Sequence, residues 1–430
     1  MKHFPHSDDR TTSSPMRSAP TPTGSAPAHA WVASWSASAQ PVWGDDFLFP
    51  TNVPRRLYNQ TVRQIARISL GGKRLRIVLS NVHGSTPVCI GRATVARSAD
   101  DIRAVTFGGE SAGTMLPGAS LISDPIDMET EALSRLTISL FLPQPTPLTT
   151  FHWDGRQTGW IVSGDQTQAR ALDMAPPSIS TTARPLLAGI HVERMGTPRS
   201  VVVIGDSITD GATASLDKDT RWPDFLATRL APHDVAVVNA GISGARLLSD
   251  GMGVNALARL ERDVLSQPGV QAAIVALGIN DIAWPGTAFA RDASLPTLAS
   301  MTAGYRQLIA QLHARGVRVI GATLAPFEGA LPDSPLDDYF QPEKDALRHQ
   351  VNDWIRHSHA FDSVVDFDAV LRDPAHPARM LAACDSGDHL HPGDEGLRAM
   401  ADAVDLRALL PELVPDLVPE AVNPPSRPTP

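Results

Sequence analysis

The hydrophobic positions of this chain follow two different rules in its two halves. From about residue 31 to 165 they come as short runs rich in β-branched residues, among them QIARISL, RLRIVLSNV, AVTFGG, RLTISLFL and GWIVSGD, separated by Gly, Pro, Asn and Ser. Many short strands at close spacing, with no amphipathic helix between them, predict an antiparallel β-sandwich or jelly roll. Beyond residue 200 apolar strands alternate with helical spacing. Strands are predicted at VVVIG (201–205), VAVVN (235–239), VQAAIVAL (270–277), VRVIGATL (317–324) and VVDF (364–367). Between them Trp222, Phe225, Leu226 and Leu230 share one helical face, as do Leu257, Leu260, Val264 and Leu265, and later Tyr305, Leu308, Ile309 and Leu312. Five strands with crossover helices predict a parallel sheet covered on both faces. Ligands of such sheets bind beyond the carboxyl ends of the strands, so the loops there are the place to look for chemistry.

The resulting organisation is a leader at 1–30, a sandwich at 31–172, a connection at 173–199, an α/β domain at 200–410 and a loose tail at 411–430. Pro176, Pro177, Pro185 and Pro198 punctuate the stretch taken as the connection, and prolines recur through PELVPDLVPEAVNPPSRPTP at the end.

Two serines compete as nucleophile. Gly109-Glu110-Ser111-Ala112-Gly113 matches G-x-S-x-G, but that motif needs a helix starting at the serine. Pro117 and Gly118 come too soon after it for one, so GGESAG reads as a turn of the sandwich. Ser207, in VVVIGDSITDG, comes directly after the first parallel strand. The loop after the second strand, NAGISGARL, offers Gly244, whose backbone N–H can approach a ligand closely. LGINDIAW after the third offers Asn280, and DSGDHLHPGDEG after the fifth offers Asp388 and His391.

Acyl transfer needs these groups: a hydroxyl, a base to take its proton, a carboxylate to orient that base, and donors for the oxyanion. Asp388 and His391 are three residues apart, within reach in a single turn, and Pro392 keeps His391 out of the next helix. Taken singly, Ser207 could satisfy a turn, Gly244 permit one and Asn280 cap a helix. Four polar groups at four strand ends outweigh those separate accounts. Asp206, Asp210 and Asp281 read as braces of their loops. Asp388, His389 and His391 could also be taken for metal ligands, but no second ligand cluster accompanies them, and His389 reads as a surface residue or as one that supports the site from behind.

GDSITDG, GISG, GIND and DHLHP resemble, in order, the four sequence blocks of the SGNH (GDSL-type) hydrolases, over about residues 200–410. Block one reads Gly-Asp-Ser-Ile rather than ending in Leu, an apolar exchange. The resemblance implies a flavodoxin-like three-layer α/β/α fold with a five-stranded parallel sheet. It also implies Ser207 as nucleophile and first oxyanion donor, Gly244 and Asn280 as the other donors, and His391 with Asp388 as base and partner. The β-rich half resembles, more loosely, the sandwich of some two-domain bacterial members.

The function expected is therefore a serine esterase with no metal and no organic cofactor, acting on small-molecule or polysaccharide esters. A carbohydrate-linked acetyl or feruloyl group leads; short-chain lipid or aryl esters are the alternative, and a catalytically inactive carbohydrate-binding protein is the alternative of another class. Trp284 is expected to wall the acyl or alcohol pocket, with core packing the equal alternative. Trp31, Trp35, Trp43, Trp153 and Trp160 are taken first as core and second as a sugar-stacking surface.

The bulk numbers narrow the partners. The chain has 430 residues, 42% hydrophobic, with a net charge of -9. No Lys/Arg cluster suits a phosphate backbone, so nucleic acid is not expected. Cys89 and Cys384 are too few and too far apart for a disulfide framework. The first 30 residues lack the apolar run of about 7 to 15 residues of a secretory signal, which makes the cytoplasm the default expectation and export the outcome if the start is misassigned. No stretch reaches the roughly 18 apolar residues of a membrane span.

Overall fold

The computed structural model describes residues 29–411. Nearly all of the expected leader and tail lie outside that range. Among the described residues no helix is long and apolar enough to cross a membrane.

The N-terminal half is built from antiparallel strands in two main sheets. One is ordered His29–Ser36, Leu187–Met195, Gly72–Ser80, Ser120–Ile122, with Ile126–Thr130 also on Gly72–Ser80. The other runs Ile179–Thr181, Gly159–Ser163, Gln60–Arg67, Arg135–Leu142, Arg92–Ser98, Asp101–Val105. Leu75, Ile77 and Leu79 from the first and Val62, Ile138, Leu140 and Ile161 from the second meet in one core. The result is a β-sandwich.

The expected connection at 173–199 is corrected by this sheet order. Leu187–Met195 is an interior strand paired on both sides, and Ile179–Thr181 is an edge strand of the second sheet. The prolines mark only the approaches to these strands. Leu187–Met195 is buried on both faces, with Ile190 and Val192 in the core and the alternating His191 and Glu193 also buried, against Arg76 and Arg74.

The C-terminal half has five parallel strands in the order Ala236–Gly241, Ser200–Gly205, Val270–Ala276, Arg318–Ala322, Ser363–Val365, that is second, first, third, fourth, fifth. This is the flavodoxin-like order, and the carboxyl ends of the first and third strands flank its switch point. Every residue of the first strand, SVVVIG, is buried. Val202 and Ile204 pack with Leu308, Leu312 and Val351 on one face, and Val201 and Val203 with Trp222, Leu226 and Met400 on the other. The expected strand at 364–367 stops at Val365 because Asp366 caps the helix Phe367–Leu371 with its side chain.

The halves share an interface along the outer edge of the parallel sheet. Ser69 Oγ accepts the Val237 N–H at 3.1 Å, and Ser36 Oγ donates to Asn239 O at 2.8 Å. Two hydroxyls of the sandwich thus occupy hydrogen-bonding groups that an edge strand otherwise offers to a stranger.

Candidate active site

Ser207 opens the four-residue helix Ser207–Asp210 straight after the first parallel strand. Asp206 caps it, accepting the Ile208 N–H at 3.0 Å. The turn is tight: a Cβ on Gly205 would come within 2.0 Å of Thr209 Oγ1. Across from it, the chain between Cys384 and the helix Asp394–Asp402 delivers His391. Ser207 Oγ lies 2.8 Å from His391 Nε2, and His391 Nδ1 lies 2.7 Å from Asp388 Oδ2. The other Asp388 oxygen accepts the N–H of Leu390 and of His391. A carboxylate only accepts, so Nδ1 carries the proton and Nε2 is left to accept from the serine. Burial works to raise the Asp388 carboxyl, but the hydrogen bond and charge of His391 and the two backbone N–H groups outweigh it and hold it well below the usual carboxylate range.

Gly244 and Asn280 stand on the two neighbouring loops. Gly244 has φ +72°, and a Cβ there would meet Met252 Sδ at 2.7 Å and the Trp284 ring at 2.9 Å, so only glycine fits. Among the described residues neither the Ser207 nor the Gly244 N–H has an acceptor in the protein. Asn280 Nδ2 donates one hydrogen to Ala245 O at 3.0 Å, which sets the amide beside the residue after Gly244. Its Oδ1 accepts from the Tyr339 hydroxyl. Burial pushes that phenol well above its ordinary range, so it remains a donor and fixes the orientation of the amide.

The aspartates brace these loops. Asp210 Oδ2 accepts both the N–H and the hydroxyl of Ser243, each at 2.9 Å. Asp281 accepts the N–H of Leu247 at 2.7 Å and of Leu248 at 2.9 Å, binding the second loop to the helix that carries Asn280. Burial pushes Asp206 up to about 7, against the Ile208 N–H and the charge of His391, and pushes Asp281 up to about 6, against its backbone donors. His389 pairs with Asp385, and among the described residues no three His, Cys, Asp or Glu side chains gather as a metal-ligand set.

Trp284 is buried, stacked on Phe289 at 4.3 Å between ring centres, and supports Gly244 from behind. Phe289 in turn meets Phe47 and Phe49 of the sandwich half, and Phe49 stacks on Trp153 at 5.5 Å. This cluster also contains Ile279, Met252 and Leu390, neighbours of the candidate site in sequence. Trp35 is core, and Trp31 lies under the Arg76 guanidinium. Two wide clefts, of about 920 and 950 Å³, are lined by neither Ser207 nor His391, and Phe47 and Phe49 line the first. Ser111 is exposed, in a turn whose Gly108 and Gly109 have positive φ and donate to Asp124. No helix starts at it.

The profile of the GDSL-like Lipase/Acylhydrolase family matches residues 203–399, a span that contains Ser207, Gly244, Asn280, Asp388 and His391. The chain carries a GDSL-like lipase/acylhydrolase domain. That domain is an ester hydrolase. Similar solved structures include a catalytic mutant of an acetylxylan esterase from Geobacillus stearothermophilus (23% identity, 52% of this chain and 99% of that one, TM-score 0.35). A GDSL-like lipase from Bacteroides thetaiotaomicron (18%, 49% and 89%, TM-score 0.35) and TesA (22%, 50% and 100%, TM-score 0.36) are others. Among curated proteins there is no match.

Tyr339 and Lys344 carry no signal in the sequence pattern. Lys344 Nζ donates to Ala283 O at 2.7 Å and to Tyr339 O at 3.3 Å, fastening the loop that carries the tyrosine to the helix that carries Asn280. Tyr339 lies in LPDSPLDDYFQPEK, where nothing but the scarcity of tyrosine in the chain draws attention to it.

Proposed function

We propose that the acylhydrolase domain is a serine esterase working through an acyl-enzyme, on the strength of the unbroken contact from Ser207 Oγ through His391 to Asp388. His391 Nε2 takes the Ser207 proton as Oγ attacks the ester carbonyl carbon. The Ser207 N–H, the Gly244 N–H and the remaining Asn280 Nδ2 hydrogen receive the oxyanion. Collapse breaks the bond to the alcohol oxygen, which takes the proton from His391, leaving the acyl group on Ser207. Water then gives its proton to His391 and attacks the acyl carbon. The acid departs and Oγ recovers the proton. Asp388 holds the tautomer and stabilises the imidazolium throughout.

For the substrate, the aromatic side chains from both halves favour an acyl or alcohol group with a flat face, a sugar ring or an aryl ring. Trp43, Phe47, Phe49, Trp153 and Phe289 are only half-buried, and Trp284 links them to the Gly244 turn. Carbohydrate-linked acetyl or feruloyl esters fit this class best.

Hydrolysis of p-nitrophenyl acetate and labelling by a fluorophosphonate probe test the mechanism together. Ser207→Ala is expected to lower kcat about a millionfold and to abolish labelling, whereas Ser111→Ala leaves both unchanged. Full activity in Ser207→Ala overturns the assignment, and a wild-type chain that neither turns over nor labels returns the inactive glycan-binding alternative. An ester panel varying acyl and alcohol groups separately tests the substrate class.

A further inference from the structure

The sandwich half reaches the loop that carries Gly244 by two buried polar routes. The first starts at His152, just after the short strand Thr150–Phe151. Its Nδ1 meets Ser38 O at 3.0 Å and its Nε2 meets Asp210 Oδ1 at 2.9 Å, with both side chains almost fully buried. The opposite oxygen of Asp210 holds the Ser243 N–H and hydroxyl. The second route starts at Gln40, paired with Thr150–Phe151 across a two-stranded ribbon. Gln40 Oε1 accepts the Trp153 N–H at 2.8 Å, and its Nε2 donates to Met252 O at 2.9 Å. Met252 is the residue whose sulfur packs against Gly244.

We propose that His152 is a positioning residue for acyl transfer: by fixing Asp210 it fixes the Ser243–Gly244 turn, so that the Gly244 N–H points at the oxyanion. The proposal rests on the serine-esterase reading above and adds a role for the other half of the molecule. His152 touches neither nucleophile nor base. Asp210 has one carboxylate for two tasks, and the buried ring whose Nε2 bonds Oδ1 stops that carboxylate from rotating. An oxyanion donor is useful only within a few tenths of an ångström of its position, because the donor–oxygen distance must stay near about 2.7–3.1 Å. A side chain buried beneath the turn can therefore affect rate without affecting substrate binding.

The test uses the full chain and p-nitrophenyl acetate, after Ser207→Ala has been shown inactive. His152→Ala is expected to lower kcat about ten- to a hundredfold with KM nearly unchanged, since the loss is confined to the transition state. His152→Gln, which keeps one donor for Asp210, recovers part of it. Arg135→Ala is the control. That residue crosses the same interface to Asp219 and Asp217, away from the turn, and its loss should lower Tm while leaving kcat intact. Unchanged kcat in folded His152→Ala, or an equal fall in Arg135→Ala, overturns the proposal. Should His152→Ala not fold, His152→Gln and Gln40→Ala are read by the same rule. Activity persisting in Ser207→Ala would defeat the esterase reading itself, whereas normal kcat in the His152 variants with an inactive Ser207→Ala defeats only this inference.

Discussion

Ser111 and Ser207 sit in superficially similar glycine-rich turns, one in each half, and differ in the element that the chain enters next. After Ser111 the chain returns to the strand Gly113–Met115, and the glycines before it serve a turn gathered around the Asp124 carboxylate. After Ser207 the chain enters a helix at the rim of a parallel sheet, where three other loops end. The motif common to many hydrolases belongs to the first serine, and the contact with His391 to the second. A short pattern records local backbone needs: Gly109 has positive φ, and a Cβ on Gly113 would meet Leu121 at 2.8 Å and Phe107 at 2.9 Å. Chemistry is a property of loops brought together by topology.

Three substitutions sharpen this contrast. Asp388→Asn should cost about 10⁴ in kcat by presenting His391 with a donor instead of an acceptor and so reversing its tautomer. A loss of less than tenfold would mean that the pairing is ornamental. Asn280→Ala should lower kcat about a hundred- to a thousandfold with little change in KM, measured on the same ester. An unaltered rate would remove the third oxyanion donor.

The smallest effect concerns stability. Asp206 is pushed to about 7 when folded, above its ordinary 3.8. The folded chain then holds a proton that the unfolded chain releases, so this group lowers stability as pH rises from about 4 to 7, by up to about 1.4 kcal/mol per pH unit. Asp206→Asn keeps an oxygen for the Ile208 N–H and removes that slope. Urea midpoints at pH 5 and 7 should therefore converge in the variant relative to the parent. Equal pH dependence in both would show that Asp206 titrates normally.

The C-terminal half is largely legible in the sequence because its strands are buried on both faces and read as continuous apolar runs, and because each catalytic candidate lies beside one of them. The second strand ends at Gly241 rather than 239, and the fifth gives way to a capped helix, both errors of boundary rather than kind. The sandwich half is less legible. Proline at the approaches to Leu187–Met195 hides an interior strand whose polar His191 and Glu193 are satisfied by arginines on the neighbouring strand. Tyr339 with Asn280 and His152 with Asp210 are also hidden, since each pair is separated by more than fifty residues and no spacing rule links its members.

The hydroxyls of Ser36 and Ser69 on the strand Ala236–Gly241 carry a consequence for anyone dissecting the molecule. Cut free of its companion, the hydrolase half would present a bare rim of main-chain donors and acceptors, a template on which a second polypeptide can add itself. The module beside it thus supplies the cover of that rim, and exchanging the module for another requires hydroxyls, or their equivalent, at the same two places.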